Sequence, residues 1–232
     1  MGSQFRKGLI HGIPIALGYL SVSFGFGIMA VRAGLSVFTS VMISVTNLTS
    51  AGQAAGVEII AAAGPLLEMA LTQLIINIRY SLMGISLSQK LDKSFTVPHR
   101  LLASYGITDE IFAVASAQIH PVTPAYMYGL ILISFLGWTT GTFLGAAAGE
   151  ILPEMITNAM GIVLYGMFIA IIIPPSRKKK SVLFAVAVAA IISVLFKYVF
   201  IGVSVGFAVI ISACISAALA AAFFPVKEEV KE

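Results

Sequence analysis

Long apolar stretches alternate with short polar or Gly/Pro-containing segments along nearly the whole chain. The apolar stretches run at about 8–31, 35–63, 65–89, 101–119, 124–149, 155–175, 181–200 and 203–224. Each is close to the ~20 residues that an α-helix needs to cross a hydrocarbon core. The pattern predicts an all-α, polytopic membrane protein of about eight helical segments, built as one integral membrane domain (1–232) that ends in a helical hairpin at 181–224.

The second apolar stretch contains a polar, glycine-containing segment, Thr46–Gln53. Such a segment cannot face lipid, because each unpaired peptide group in the hydrocarbon costs several kcal/mol. We therefore expect a broken helix here that is buried in protein or lines a wet cavity, as at the substrate sites of transporters. The alternative is that Thr49, Ser50 and Gln53 make only interhelical hydrogen bonds.

A weak internal similarity relates the first half of the chain to the second. Residues 43–50 match residues 133–140 at a shift of 90 residues, and an Ala-Ala-Gly and a proline follow each segment. The shift spans three apolar stretches, so it predicts inverted three-span repeats at 8–89 and 101–176, with a substrate site between them. A second break at Gly137–Thr142 would then face the first near the middle of the membrane. Chance similarity between two apolar segments is the competing explanation.

Charge is scarce and clustered. Of the 232 residues, 59% are hydrophobic and only 10% are charged, whereas a soluble domain carries roughly a quarter charged residues. The basic residues concentrate at Arg6-Lys7, Lys90–Arg100, Arg177–Lys180 and the tail from Lys227. Clusters that flank apolar stretches set membrane orientation and argue against nucleic-acid binding. Eight crossings would place Arg6-Lys7 and Arg177–Lys180 in the cytoplasm and the Lys90–Arg100 loop outside. Placing all clusters in the cytoplasm would instead demand one re-entrant segment in each half.

Inside the apolar stretches, the segment Asn77–Tyr80 is the strongest candidate for a functional site. Asn77 and Tyr80 lie on one helix face, with Arg79 turned about 100° from Tyr80. A guanidinium is permanently charged and binds carboxylates bidentately, which indicates a carboxylate-recognising or gating arginine. The alternative is that Arg79 snorkels from the end of its span toward water.

Thr108, Asp109 and Glu110 form the second candidate. One of the two carboxylates could pair with Arg79, recognise an ammonium group or relay a proton. The alternative is that Asp109 is the N-cap of a short helix after a break at Gly106. The predicted substrate-binding set is Asn47, Thr49, Ser50, Gln53, Asn77, Arg79, Tyr80, Thr108, Asp109 and Glu110.

Other polar residues are assigned structural roles. Glu58 and Glu68 flank Gly64-Pro65 and are interpreted as interface charges at the ends of two spans. The small residues of Ser21–Gly27 predict close helix packing. No nucleophile elbow, zinc-protease motif or nucleotide-binding loop occurs, so we expect neither an enzyme nor a cofactor, and the three histidines lack metal-ligand spacing.

Four segments carry a family resemblance that extends from about Gly12 to Ala213. They are Pro14–Gly27, Ser50–Gln53, Ile76–Leu87 and Ile107–Ala113. In these segments the chain resembles the AzlC family, the large subunit of bacterial branched-chain amino-acid exporters. The resemblance implies a multi-pass permease of the bacterial cell (inner) membrane for efflux of branched-chain or other neutral hydrophobic amino acids. It also implies a small AzlD-type membrane subunit as partner. The alternative function is a non-transporting membrane scaffold whose polar intramembrane residues bind a partner.

Overall fold

The computed structural model describes residues 2–151, 166, 169, 172–200 and 202–225. Most of the predicted span 155–175, the corresponding part of the predicted repeat 101–176 and the basic tail from Lys227 lie outside the described residues. The regular structure of the described residues is all-α, as the apolar pattern predicts.

Nine helices are named in the described part of the chain. They are α1 (Gly2–Arg32), α2 (Val37–Thr46), α3 (Ser50–Ala61), α4 (Leu66–Ser88), α5 (Val97–Ser104), α6 (Asp109–Ser116), α7 (Pro124–Ile151), α8 (Lys180–Tyr198) and α9 (Val205–Phe223). Four of them, namely α1, α7, α8 and α9, are long and apolar enough to cross a membrane. The 23-residue α4 is also long enough at 1.5 Å per residue, but Glu68 and Arg79 make it more polar.

The chain divides into two compact units. Unit 1 comprises Met1–Val57 and Ile76–Leu164, and unit 2 comprises Glu58–Ile75 and Tyr165–Glu232. Unit 1 therefore holds α1, α2, most of α3, the second half of α4 and α5 to α7.

Helices α1 and α7 form the close-packed centre of unit 1. Glycines at every fourth position of α7 meet the backbone of α1. A Cβ atom at Gly137 would lie 2.7 Å from the Cα of Ala16, and one at Gly141 would lie 2.9 Å from the Cα of Leu20. Since residue numbers rise together along both helices, the two helices run parallel. Small residues are what allow two backbones to approach this closely in a membrane protein.

The predicted second break at Gly137–Thr142 is wrong, because α7 is continuous from Pro124 to Ile151. Its glycines allow the close contact with α1 and do not bend the helix. Its hydroxyls are satisfied within the helix: Thr139 donates to the carbonyl of Phe135 at 2.9 Å, and Thr142 donates to that of Trp138 at 3.2 Å. The segment therefore has no backbone interruption at membrane depth.

The predicted first break is present, and it lies between Thr46 and Ser50. The stretch 35–63 is nevertheless not a single crossing. Leu35, before α2, and Val57, late in α3, belong to one hydrophobic cluster with Ala30 of α1. Helix α2 therefore leaves the C-terminal end of α1, and α3 returns toward the same end.

The stretch 101–119 also fails to form one span. Two eight-residue helices cover it, α5, which begins earlier at Val97, and α6, and each is only about 12 Å long at 1.5 Å per residue. The ends of this segment lie together, because the amide of Asp92 donates to the carbonyl of Val122 at 2.9 Å and the amide of Val122 donates to that of Lys90 at 2.8 Å. The segment thus enters and leaves at one end of unit 1.

That end also holds the start of α1. Gly8 of α1 packs against Tyr126, near the start of α7. The Lys90–Arg100 loop therefore lies at the same end of unit 1 as Arg6-Lys7, so the expectation of opposite sides is wrong. Two re-entrant helical hairpins replace two of the predicted crossings, which keeps the basic clusters of this unit together, as the positive-inside rule favours.

In unit 2, α8 and α9 form an antiparallel hairpin. Phe184 near the start of α8 makes an edge contact with Phe223 at the end of α9, with ring centroids 5.5 Å apart. Ser193 and Ser212 hydrogen-bond midway along the pair at 3.5 Å.

Replacing Gly141 with leucine tests the parallel pair. The new side chain would overlap the backbone of Leu20, and overpacking of this kind costs about 1–3 kcal/mol or more. Thermal unfolding in detergent should occur at a lower temperature than for the wild type. Gly18→Leu is the matched control, because a Cβ at Gly18 of α1 meets nothing within 4 Å. Equal unfolding temperatures for both variants would contradict the packing.

Cysteine labelling tests the re-entrant arrangement. In a Cys214→Ala background, Ser3→Cys and Ser94→Cys should react with an impermeant maleimide from one side of the membrane. Ala33→Cys, near the opposite end of α1, should react from the other side. Labelling of Ser3→Cys and Ser94→Cys from opposite sides would restore the eight-crossing topology.

Candidate functional site

Unit 1 has two interrupted segments: the first break, 47–49, lies between α2 and α3, and the second break, 105–108, lies between α5 and α6. Each ends at a threonine that begins a helix. Thr49 Oγ1 accepts a hydrogen bond from the amide of Gly52 at 3.4 Å, and Thr108 Oγ1 accepts one from the amide of Ile111 at 3.4 Å. Threonine is a good N-cap because its side-chain oxygen satisfies an amide that has no partner within the helix. Two helix N-termini, each with a partial positive charge, are thereby placed near the middle of unit 1.

A polar chain along α4 joins these two helix starts. The Tyr80 hydroxyl donates to Thr49 Oγ1 at 3.3 Å, and Arg79 Nη2 donates to the Tyr80 hydroxyl at 3.1 Å. The guanidinium also stands 4.9 Å from the centroid of the Tyr80 ring. At its other end, Arg79 Nη2 lies 2.9 Å from Asp109 Oδ2. The first turn of α6 is thus linked to the N-cap of α3.

The ion pair is accessible. The side chains of Arg79 and Asp109 are each 42% exposed. Asp109 lies in the first turn of α6, where a negative charge is favoured by the helix dipole. The structure corrects the snorkelling alternative, since Arg79 is paired within the protein. It also corrects the cap alternative, since Thr108 is the N-cap and Asp109 is the first helical residue.

A second, buried chain joins the breaks on the side of α1 and α7. The Tyr19 hydroxyl donates to Glu110 Oε2 at 2.6 Å and lies 2.5 Å from Thr108 Oγ1. Its ring makes an edge contact with Trp138 at a centroid distance of 5.2 Å. Trp138 Nε1 in turn donates to Gln53 Oε1 at 3.3 Å. Gln53 is 1% exposed and Trp138 is 3% exposed, so this chain belongs to the core.

Gln53 also holds the interrupted backbone. Its Nε2 donates to the carbonyl of Asn47, and its Oε1 accepts from Ser44 Oγ at 3.4 Å. The Tyr105 hydroxyl, from the second break, donates to the carbonyl of Val45 at the end of α2. The backbone freed at the first break therefore finds partners both in its own hairpin and in the second one, as non-helical backbone at membrane depth requires.

The structure brings most of the predicted residues together. The ring of contacts contains Asn47, Thr49, Gln53, Arg79, Tyr80, Thr108, Asp109 and Glu110. Ser50 is the first residue of α3, and Asn77 lies three residues before Tyr80; both are partly buried beside this ring.

Sequence reasoning missed Tyr19 and Trp138, which complete the buried chain. Tyr19 lies in an apolar helix, where aromatic residues are typical of a core, and Trp138 lies in the segment predicted as the second break. No local pattern pointed to either contact. Ser44 and Thr142, which share a hydrogen bond of 2.7 Å, were also missed.

An apolar cavity lies between α4 and α5; Arg100 lines it, and Arg79 and Asp109 do not. Its volume is about 410 Å³, and its lining includes Ser81, which follows Tyr80, and Ile107, which precedes Thr108. Other lining residues are Gly84, Leu87, Leu101 and Met127. Small-molecule sites of about 300–1,000 Å³ are typically apolar with a few polar groups at the edge, as here. In the described part of the chain, no three metal-ligating side chains lie close enough together to hold a metal ion.

The substitution Gln53→Leu tests the buried chain. It leaves Trp138 Nε1 and the Asn47 carbonyl without this partner, at a cost of about 1–3 kcal/mol for each buried group. We expect a lower unfolding temperature and an altered emission of Trp138, the single tryptophan of the chain. Gln89→Leu, at an exposed position, is the control and should change neither. An unaltered Trp138 emission in Gln53→Leu would contradict the contact.

Comparisons with known proteins agree on one family. The family model described as AzlC protein matches residues 14–152. The chain is 29% identical to the inner membrane protein YgaZ of Escherichia coli strain K12, over 77% of this chain and 76% of that protein. It is 30% identical to an uncharacterized membrane protein of Archaeoglobus fulgidus, over 74% of this chain and 76% of that protein. It is 25% identical to the branched-chain amino acid transport protein AzlC of Bacillus subtilis, over 77% of this chain and 70% of that protein.

No solved structure matches the chain. The family match and the relatives support a role related to membrane transport. The membrane-spanning helices, the two interrupted segments and the family match agree, and the chain belongs to the AzlC family.

Proposed function

We propose that the protein is a secondary transporter that exports branched-chain or other neutral hydrophobic amino acids. It acts as a multi-pass permease of the bacterial inner membrane, together with a small AzlD-type membrane subunit. The name of the Bacillus subtilis relative supports the substrate class, and that of the Escherichia coli relative supports the membrane. We propose a transporter rather than an enzyme because family members are transport proteins.

The observation that carries the proposal is the half-exposed ion pair between Arg79 and Asp109, set between two helix N-termini. Ionisable residues at membrane depth are costly and by default mark a transport pathway or a binding site. Helix starts at such a depth are where transporters place the anionic group of a substrate.

An amino-acid zwitterion matches this pair. Its carboxylate fits the guanidinium of Arg79 and the amides at the start of α3, and its ammonium fits Asp109. When the zwitterion inserts between the two side chains, each charge exchanges one partner for another and none is left unpaired. The exchange therefore avoids the penalty of an uncompensated charge, which would block an ion that carries one sign only.

The apolar cavity between α4 and α5 accommodates the substrate side chain. Gly84 of α4 leaves open space there, and Ile107 Cδ1 lies 3.8 Å from the position of a Cβ at Gly84. A branched aliphatic side chain would be dehydrated in this cavity, at about 25 cal/mol per Å² of apolar surface buried. The glycines and phenylalanines of Phe24–Gly27 do not form this pocket, because Gly27 packs against the α7 backbone and Phe26 belongs to a separate cluster.

Reconstitution separates transport from the scaffold alternative. Proteoliposomes that contain the full chain and its small subunit should move labelled leucine or valine, and vesicles that lack the chain should not. A scaffold would give equal, background flux in both preparations.

Substitutions at the ion pair test the site. Arg79→Ala and Asp109→Asn should lower leucine efflux at limiting substrate by about 10- to 100-fold, because a hydrogen bond to a charged group contributes about 1.5–3 kcal/mol. Membrane abundance, measured by immunoblot, should persist. Unchanged efflux in both variants would contradict the assignment.

Two further variants test the polarity of the ion pair and control for loss of a carboxylate elsewhere. The double swap Arg79→Asp with Asp109→Arg keeps an ion pair but reverses its polarity, so abundance should match the wild type while efflux stays low. Asp92→Asn is the matched carboxylate control. Asp92 is partly exposed, and hydrogen bonds from the hydroxyl and amide of Ser94 lower the pKa of its carboxyl within the loop itself. Its efflux should equal that of the wild type.

A further inference from the structure

Arg100 is a cation of unit 1 that the site above leaves unused. It lies on α5 and lines the apolar cavity between α4 and α5. Its Nε donates to the carbonyl of Phe95 at 3.3 Å, and its two Nη nitrogens have no hydrogen-bond or ion-pair partner among the described residues. A guanidinium carries its N–H donors in a fixed fork, so those on the Nη nitrogens of Arg100 are available to a ligand.

The acidic residue of the preceding loop does not neutralise Arg100. Asp92 accepts hydrogen bonds from the hydroxyl and the amide of Ser94, at 2.6 and 2.9 Å. The one ion pair of the described residues joins Arg79 to Asp109, and neither of them lines the cavity. Arg100 is therefore an exposed, unpaired positive charge beside an apolar space. A carboxylate fits the planar fork of such a guanidinium.

The cavity also offers acceptors for an ammonium group. The hydroxyl of Ser88 donates to the carbonyl of Ile85 at 2.6 Å, and that of Ser104 donates to the carbonyl of Leu101 at 2.7 Å. Both serines line the cavity. Since each hydroxyl proton is already used within its own helix, each serine oxygen has lone pairs left to accept a hydrogen bond. An ammonium group carries donors only and matches these oxygens.

Between these polar groups the lining is apolar. It is formed mainly by Leu87, Leu91, Phe95, Leu101, Ile107 and Met127. A volume of about 410 Å³ is typical of a site for one small molecule. A free amino acid with an aliphatic side chain would use the guanidinium, the serine oxygens and the apolar wall. A membrane lipid would leave the serine oxygens without a donor, so the lining favours the amino acid.

The cavity extends from the basic end of unit 1 toward the ion-pair site. Two of its lining residues, Leu91 and Phe95, belong to the loop that lies at the same end of unit 1 as Arg6-Lys7. The positive-inside rule places this end in the cytoplasm. Two other lining residues, Ser81 and Ile107, are adjacent in sequence to residues of the ion-pair site. An exported substrate would follow the same course.

We propose that this cavity is the cytoplasmic entrance subsite for the exported amino acid and that Arg100 binds the carboxylate of the amino acid there. This inference rests on the proposed transport function. The oxygens of Ser88 and Ser104 accept from the ammonium group, and the aliphatic side chain lies against the apolar wall. A neutral hydroxyl holds an ammonium group less strongly than the carboxylate of Asp109. The subsite therefore releases the substrate to the ion-pair site.

Protection from labelling tests the subsite in the purified complex of the full chain with its small subunit. Gly84→Cys in a Cys214→Ala background places a thiol in the cavity, where a Cβ meets only Ile107 Cδ1, at 3.8 Å. At about ten times its dissociation constant, leucine should slow the reaction of this thiol with a maleimide about 10-fold. Ser94→Cys, which is exposed and outside the cavity, is the control and should not be protected.

Two analogues of leucine test the charge that the subsite recognises. Leucine without its amino group is 4-methylpentanoate, and it should protect Gly84→Cys because it keeps the partner of Arg100. Leucine without its carboxyl group is 3-methylbutylamine, and it should not protect at the same concentration. Protection by the amine alone would overturn the proposal. So would protection by phosphatidylglycerol in place of leucine, which would assign the cavity to a lipid. These arms need no substitution at Arg100.

Substitutions at Arg100 test its role directly, with Gly84→Cys as the reporter. Arg100→Gln should raise the concentration of leucine that protects by about 10-fold. Arg100→Lys keeps the charge and should restore part of this loss, which a defect in folding would not allow. Lys93→Gln, at an exposed basic position of the loop outside the cavity, is the matched control and should protect as the wild type does. Equal protection in Arg100→Gln would overturn the role of Arg100.

Asp109→Asn separates the subsite from the proposed function. It should lower leucine efflux yet leave the protection of Gly84→Cys intact, because Asp109 does not line the cavity. Leucine flux by the wild type without protection of Gly84→Cys would overturn the entrance subsite. Protection without any leucine flux by the wild type would instead contradict the proposed function.

Discussion

The close parallel contact of α1 and α7 is the constraint on which the rest of unit 1 depends. Glycines along α7 let the two backbones meet, so Tyr19 of α1 and Trp138 of α7 lie side by side in the core. Tyr19 reaches the second break, and Trp138 reaches the first. A wider spacing between these helices would separate the two aromatic residues and, with them, the two interrupted segments that they hold.

The first break also depends on the second for part of its hydrogen bonding. Backbone groups freed from helices have no water to bind in a hydrocarbon environment, so each needs a partner within the protein. Gln53 serves the carbonyl of Asn47, and Tyr105 of the opposite break serves that of Val45. Movement of the second hairpin would remove the hydrogen bond from Tyr105 to the first. This dependence is a physical basis for coupled motion of the two hairpins.

Three carboxylates of the chain have different environments. Asp109 is half exposed and holds Arg79, so an incoming zwitterion can exchange with it. Glu110, its neighbour in sequence, points to the buried Tyr19 hydroxyl and belongs to the frame of the site. Glu68 is buried in unit 2 against the start of α9. Substrate recognition and support of the site can therefore be assigned to separate groups, which explains why the two adjacent acids after Thr108 do not duplicate one role.

The sequence by itself determined the all-α membrane class, the first break and most of the polar residues at the candidate site. These follow from local physics: apolar length, the intolerance of lipid for unpaired peptide groups, and the cost of ionisable side chains at membrane depth. Only the tertiary structure decided that the stretches 35–63 and 101–119 turn back instead of crossing, because length and hydropathy are similar in both cases. It also showed that the glycines of α7 allow close contact with α1 and do not interrupt the helix. Likewise, Tyr19, Trp138 and Glu68 acquire their roles from contacts with residues 85 or more positions away, which no local pattern encodes.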